Sequence, residues 1–110
     1  MSILERKIRD RQIKAILTDE RFIRTLKYVD NIGYVTRRDL QIEFSIGYPV
    51  ASIYFQTMDL LKGTCIDEED EFLLKTAFPD GLVGKIEKGD FTDIFKVTVP
   101  EEGDNFEEDR

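Results

Sequence analysis

The sequence predicts an α+β fold: a winged helix-turn-helix with an extra N-terminal helix and a C-terminal β-hairpin. Two helical patterns flank a tight turn between Thr36 and Gly63, which is the arrangement of a helix-turn-helix. After Gly63 the pattern changes to short β-compatible runs around a polar loop, as in a wing. We expect a single winged-helix domain over residues 1–99. Residues 100–110, with one aromatic and six acids, are expected to be a disordered acidic tail.

The first predicted helix covers residues 3–17 and is amphipathic and basic. Its apolar residues fall roughly along one side, with Arg and Lys between them. A helix of this kind can pack on the core, on a partner or on a membrane surface. Because it contains neither Trp nor Phe, we favour packing on the domain or on a second copy. We therefore predict a homodimer formed through this helix.

A second helix is predicted from Arg21 to Asn31. Either Thr18 or Asp19 can act as its N-cap, because both side chains accept hydrogen bonds from first-turn N–H groups. Tyr34 and Val35 then form a short extended link that could add a small strand before the helix-turn-helix.

The first helix of the helix-turn-helix begins after Thr36, which is its N-cap candidate. Leu40 and Phe44 lie at helical spacing behind it and are expected to face the core. Gly47 is expected to take a positive φ where the chain reverses, since glycine adopts that conformation at low cost.

Pro49 suits the first turn of the following helix, where a missing N–H costs nothing. Gly63 is expected to end that helix. Between them lies an apolar face made of Val50, Ile53, Tyr54, Met58, Leu60 and Leu61.

Residues 64–66 and 72–78 are predicted to be the two strands of the wing, although a short helix is an alternative for the second run. The loop between them, residues 67–71, consists of five consecutive acids. A Pro-Asp-Gly turn follows, and residues 82–86 and 91–99 are then predicted to form the C-terminal hairpin.

The charge distribution is uneven along the chain. Ten Lys/Arg and five acids give residues 1–38 a charge of +5, so the remainder carries −12 of the total −7. The basic part could contact nucleic acid, or both parts could simply be solvated helix surfaces. The sequence contains no run of about 18 apolar residues, so no membrane span is predicted.

The residue inventory argues against an enzyme and against a metal or other cofactor. The chain has no His, and Cys65 is its single cysteine. Cys65 is expected to be a small buried hydrophobe in a reducing, cytoplasmic setting. The acids of residues 67–71 are contiguous and lack the glycine that a calcium loop needs. No nucleophile with an orienting base is apparent either.

Three short motifs in the helix-turn-helix carry a resemblance to a known family. They are Ile46-Gly47-Tyr48, Ala51-Ser52 and Met58-Asp59, preceded by the run VTRRDLQIEFSIGY. Together they resemble the winged-helix gamma domain at the C-terminus of FtsK/SpoIIIE-type DNA translocases. The likeness covers about residues 20–70 and implies a winged-helix fold that binds double-stranded DNA.

At the family's three base-reading positions this chain departs from the pattern. The family has one polar and two basic residues there, whereas this chain has Pro49, Val50 and Ile53. None of these can form the bidentate hydrogen bonds that discriminate bases. The resemblance therefore supports the fold more strongly than it supports the family's DNA specificity.

The leading functional hypothesis is a DNA-binding winged-helix protein, a dimeric regulator or a DNA-segregation or phage-type accessory factor. The candidate DNA contacts are Arg37, Arg38, Ser52, Gln56, Thr57 and Lys62, with Lys27 as a further candidate phosphate contact. The alternative is a protein-interaction module on the same scaffold. In that case the apolar helix would be the interface, and the acidic wing and tail would meet a basic protein partner or mimic nucleic acid.

Overall fold

The computed structural model describes residues 11–96. Within that range the chain has a mixed α+β fold with five helices and one three-stranded antiparallel sheet. The elements are α1 (residues 11–17), α2 (Glu20–Ile32), β1 (Tyr34–Thr36), α3 (Arg37–Phe44), α4 (Tyr48–Met58), β2 (Thr64–Ile66), β3 (Leu73–Thr76) and α5 (Leu82–Glu87). The predicted N-terminal helix is confirmed over residues 11–17. Its residues 3–10 and the predicted tail, residues 100–110, lie outside the described range.

Helix α2 begins and ends with two of the signals expected for a helix. The Asp19 side chain accepts a hydrogen bond from the Arg21 N–H at 2.9 Å, which satisfies one of the free first-turn donors. Gly33 ends the helix in the left-handed conformation, with φ 94°, and its N–H donates to the Val29 carbonyl. Asp19 is therefore confirmed as the N-cap.

The sheet has the strand order β1-β3-β2, and both pairings are antiparallel. Leu74 in the central strand lies opposite Val35 on one side and Ile66 on the other. The strand that precedes α3 thus joins the hairpin that follows α4. Both the small strand at Tyr34 and the β2–β3 hairpin were predicted, and both are confirmed.

The turn between α3 and α4 has a different geometry from the one predicted. Thr36 and Asp39 form a reciprocal capping box at the start of α3, as the N-cap prediction required. At the other end Ser45, not Gly47, adopts the left-handed conformation, with φ 52°. Gly47 is extended, with φ −75°, and is the N-cap of α4. The positive-φ prediction for Gly47 was wrong, because the chain already reverses two residues earlier.

Helix α4 ends at Met58, not at Gly63 as predicted. Asp59 is its C-cap, and a turn carries the chain on to β2. Gly63 does have a positive φ of 83°, but its role is to permit a close approach. A Cβ built there would lie 2.3 Å from the Ala77 carbonyl oxygen.

The core lies between the helices and one face of the sheet. Its fully buried apolar side chains come from the helices, the strands and the segment that follows α5. They include Phe22, Leu26, Val35, Leu40, Met58, Leu61, Leu74, Ile86 and Ile94. No helix in the described part of the chain is long and apolar enough to cross a membrane.

The predicted C-terminal hairpin is wrong over the residues that the structure describes. Residues 82–87 form helix α5. Leu82 and Ile86, one turn apart, are both buried and turn the helix toward the core. Instead of a second strand, residues 91–96 form a loop with one isolated bridge between Leu61 and Phe95, and Ile94 is fully buried. Residues 97–99 of that prediction lie outside the described range.

Candidate functional site

Arg37 is held in a fixed orientation at the start of α3. Its guanidinium carbon lies 4.2 Å from the centroid of the Phe55 ring, a cation–π contact with a ring that α4 buries in the core. Its Nε–H donates to the Ser52 hydroxyl at 3.3 Å. The sequence identified Arg37 as a candidate, but it gave no signal that Phe55 is the platform beneath it.

Ser52 and Gln56 lie one turn apart on α4, on the side that Arg37 approaches. The Gln56 side-chain amide donates to the Ser52 hydroxyl at 3.5 Å. Gln56 is exposed and Ser52 is half-buried. Arg38 is exposed beside Arg37 in the first turn of α3. We call these four residues the polar corner; the structure brings three of them into one hydrogen-bonded group and leaves Arg38 free beside it.

The other candidates are not part of that corner. Thr57 is buried, and its hydroxyl donates to the Ile53 carbonyl at 2.8 Å, so it presents no group to an external ligand. The Lys62 ammonium lies 2.7 Å from the Asp93 carboxylate. Lys27 similarly pairs with Glu87 at 2.7 Å. Both lysines bridge elements of the fold.

Arg37 and Arg38 differ from these lysines in their electrostatic surroundings. Among residues 11–96, the ion pairs occupy four lysines and neither of these arginines. Asp39, the acid that directly follows them in the sequence, accepts a hydrogen bond from the Thr36 N–H within the capping box. The polar corner therefore keeps two positive charges that no acid within the described range neutralises through an ion pair.

The outer face of α4 is mainly apolar. Tyr48 is 59% exposed and Ile53 is 45% exposed. Pro49 is also exposed, whereas Val50 packs partly against the core and Tyr54 is buried. Of the three positions where the chain departs from the gamma-domain pattern, Pro49 and Ile53 thus lie on the surface.

A polar contact behind α4 fixes which of its faces points outward. The buried Tyr54 hydroxyl donates to Asp19 at 2.9 Å, and its ring meets the Phe22 ring edge-on. Burial, together with the hydrogen bond to the Asp19 carboxylate, raises the pKa of Tyr54 to about 12. Asp19 therefore caps α2 with one oxygen and anchors α4 with the other. The N-cap was predictable from the sequence, whereas this second contact was not.

The loop between β2 and β3, which is the tip of the proposed wing, carries a strong negative charge. Glu68, Glu69, Asp70 and Glu71 are all exposed. Only Asp67 at the base has a basic partner, Lys75 at 2.7 Å, and this hydrogen-bonded contact lowers the pKa of the Asp67 carboxyl.

The β2–β3 hairpin also exposes two side chains of low polarity, Phe72 and Cys65. Phe72, in the predicted strand, is 61% exposed beside the acids. Cys65 is exposed too, so its prediction as a buried residue was wrong. Successive residues of a strand point to opposite faces, and Thr64 takes the buried side.

Within residues 11–96, no group of three or more Cys, Asp or Glu side chains is arranged to hold a metal ion. Among the described residues, the polar corner is where the predicted ligand-binding side chains converge.

Comparison of the chain with protein-family models, with curated proteins and with solved structures gave no match.

Proposed function

We propose that this protein is a winged-helix DNA-binding protein that contacts duplex DNA through the polar corner. The order of its elements supports the winged-helix assignment. A strand precedes the helix pair α3–α4, a hairpin follows it, and the first strand pairs with the second strand of that hairpin. The α3–α4 pair with its short turn is a helix-turn-helix arrangement.

The observation that carries the DNA proposal is the state of Arg37 and Arg38. Of the candidate contacts, Lys27 and Lys62 are taken up in ion pairs, whereas these two arginines form none within residues 11–96 and lie beside α4. Guanidinium groups at the edge of a recognition helix are suited to phosphate contacts, which position a protein on the duplex. Ser52 and Gln56 would then face the base edges of the major groove.

The start of α4 adds a second attractive element. Its N-cap is Gly47, which has no side chain to satisfy the free N–H groups of the first turn. Uncapped N–H groups and the positive end of the helix dipole favour an anion such as a backbone phosphate. The helix pair thus offers two separate sources of favourable charge: the arginines at the start of α3 and the N-terminus of α4.

The wing opposes DNA binding in this arrangement. Four exposed acids at its tip would repel the phosphate backbone, so in the bound state the wing must lie away from the duplex. Two arginines per protomer imply a slope of log K against log salt of about −2, or about −4 for a dimer. Binding should therefore be weak, and its salt dependence should be modest for a DNA-binding protein.

Dimerisation through the N-terminal helix remains part of the proposal. In the described part of that helix, Leu17 is buried and Ile13 and Ile16 pack partly against the protein's own core. A dimer contact would therefore have to be made by the apolar residues of the segment 3–10. Sedimentation equilibrium of the unsubstituted protein and of a Leu4→Glu variant tests this. The unsubstituted protein should be dimeric, and the variant should be monomeric.

Fluorescence anisotropy with mixed-sequence duplex DNA at two salt concentrations tests the DNA proposal. Arg38→Ala should weaken binding and reduce the salt slope by about one per protomer. Arg24→Ala is the matched control, because Arg24 is also an exposed helical arginine but lies on α2, outside the helix-turn-helix. Absence of binding at low salt, or equal effects of the two substitutions, would contradict the proposal.

Protein binding is the second candidate function, and the exposed apolar side chains favour it. Tyr48, Ile53 and Phe72 are each about half exposed or more, and Phe72 adjoins the acidic wing tip. Exposed apolar side chains on α4 and an acidic loop beside Phe72 suit a partner that is both apolar and basic. NMR titration with a basic amphipathic peptide should shift signals of Ile53 and Phe72. An Ile53→Ser variant should lose this binding, whereas Ile32→Ser, at an exposed position on α2, should keep it.

A further inference from the structure

The side chains on the outer face of α4 form one continuous stripe. Residues 49, 52, 53 and 56 follow the spacing i, i+3, i+4 and i+7, which lies along one side of a helix. Pro49, Ile53 and Gln56 are exposed, and Ser52 is half-buried beneath Arg37. At 1.5 Å per residue the stripe is roughly 10 Å long, which matches about three base pairs along a duplex at 3.4 Å each.

The chemistry of this stripe is unusual for a helix that reads DNA. The sequence of α4, YPVASIYFQTM, contains no Arg or Lys. The commonest specific contact to guanine, a bidentate bond from Arg or Lys to O6 and N7, is therefore missing from it. The nearby Arg37 is held against Phe55 and Ser52, so it is not positioned along the stripe.

Two side chains of the stripe suit the groups that A·T pairs display in the major groove. An exposed apolar side chain such as Ile53 can pack against the C5-methyl group of thymine. A glutamine amide such as Gln56 can accept from N6–H and donate to N7 of adenine. Since Gln56 lies three residues after Ile53, the two contacts would fall on neighbouring base pairs.

We infer that α4 selects A·T base pairs, with Ile53 reading the thymine methyl group and Gln56 reading adenine. This inference rests on the proposed DNA binding and gives the substrate class of that same site. It also accounts for the departure at Ile53: an apolar residue replaces hydrogen-bonded readout with methyl readout.

Anisotropy titrations with matched duplexes that differ in one chemical group test this inference. One comparison is between alternating d(A-T) and d(A-U) duplexes, because d(A-U) lacks the thymine methyl group. The other is between d(G-C) and its 5-methylcytosine form, which gains a methyl group at the same position of the pyrimidine ring. The expected order of affinity is d(A-T) above d(A-U) above d(G-C). One lost methyl contact corresponds to about a fourfold weaker Kd, from ~0.8 kcal/mol per buried methyl-sized group.

Variants assign the effect to a residue. Ile53→Ala should bind d(A-T) and d(A-U) equally, whereas Ile42→Ala, which changes an exposed isoleucine on α3, should keep the difference. For Gln56, replacing adenine with 7-deazaadenine should weaken binding by the wild type but not by Gln56→Ala.

The possible outcomes separate this inference from the proposal beneath it. If the protein binds every duplex with the same affinity, or prefers d(G-C), DNA binding stands and the A·T inference is overturned. An unchanged uracil effect in Ile53→Ala would likewise reject the role of that side chain. If no duplex binds at low salt, the proposed function and the inference fail together.

Discussion

Substitution of Gly63 by alanine should destabilise the fold far more than the same change at Gly81. Both glycines have nearly the same positive φ, 83° and 84°, so the backbone strain from adding a side chain is matched. That strain is about 1–2 kcal/mol for an L-residue in the left-handed region. The two sites differ in their surroundings. A Cβ at Gly63 would lie 2.3 Å from the Ala77 carbonyl oxygen, whereas nothing lies within 4 Å of one at Gly81.

The contact at Gly63 is with backbone, so it cannot be relieved by a side-chain rotation. Separating the two segments also endangers the hydrogen bond from the Ala77 N–H to the Gly63 carbonyl, at 2.7 Å. Loss of a hydrogen bond of this kind adds about 1 kcal/mol. Overpacking against the Ala77 backbone adds at least about 1 kcal/mol more. We therefore expect Gly81→Ala to lower the free energy of unfolding by about 1 kcal/mol, from strain alone, and Gly63→Ala by about 3 kcal/mol.

Urea unfolding followed by circular dichroism measures both values. With a slope of about 1.5 kcal/mol per molar urea for a small domain, the two midpoints should differ by more than about 1 M. A Gly63→Ala protein that does not fold, beside a Gly81→Ala protein that does, would agree with the same reasoning. Equal midpoints for the two variants would refute it, because the positive φ alone would then explain both losses.

Three further predictions concern side chains of α3, α4 and the β2–β3 hairpin. Thr36→Ala should lower the free energy of unfolding by about 1 kcal/mol through loss of the α3 cap, whereas Thr36→Ser should not. The urea unfolding midpoints of the two variants test this, and equal midpoints would contradict it. Tyr54 should ionise only near pH 12 in an absorbance titration; because its folded-state pKa is raised, the stability it contributes is complete below pH 10 and is lost as the pH rises toward 12. Tyr54→Phe should lose about 1 kcal/mol with its bond to Asp19, and no loss would exclude that bond. The Asp67 carboxyl should titrate below 3.8 by NMR; because its folded-state pKa is lowered, its pairing with Lys75 stabilises the fold above that pH and is lost as the pH falls further. Lys75→Ala should return the Asp67 pKa to its ordinary range, and an unchanged value would exclude the ion pair.

The local signals in the sequence were sufficient for the helix pair α3–α4 and the β2–β3 hairpin. Caps such as Thr36 and Asp19 act within three residues of themselves, so they can be identified without any tertiary contact. The change of period after α4 identified the β2–β3 hairpin for the same reason.

The C-terminal part could not be predicted in the same way. Helix α5 has six residues and includes a glycine, so its intrinsic tendency to form is small. Burial of Leu82 and Ile86 decides its conformation, and that burial depends on α2, far away in the sequence. The spacing of these two residues is helical, but a run of apolar and small residues between two turns is equally compatible with a strand.

Counting charges along the sequence does not show which charged side chains are already paired in the fold. Lys62 was predicted to contact phosphate, yet its ammonium bonds to Asp93 and its N–H donates to the Ile94 carbonyl. Lys96 makes the corresponding contacts to Asp59 and to the Leu60 carbonyl. These two lysines bind the C-terminal loop to the segment that follows α4, so their ion pairs contribute to the stability of the fold. Sequence order cannot distinguish such paired charges from free ones, because the acids that neutralise them are more than thirty residues away. Of the candidate contacts, Arg37 and Arg38 form no ion pair within residues 11–96, so the proposed DNA contact would be centred on the helix pair α3–α4.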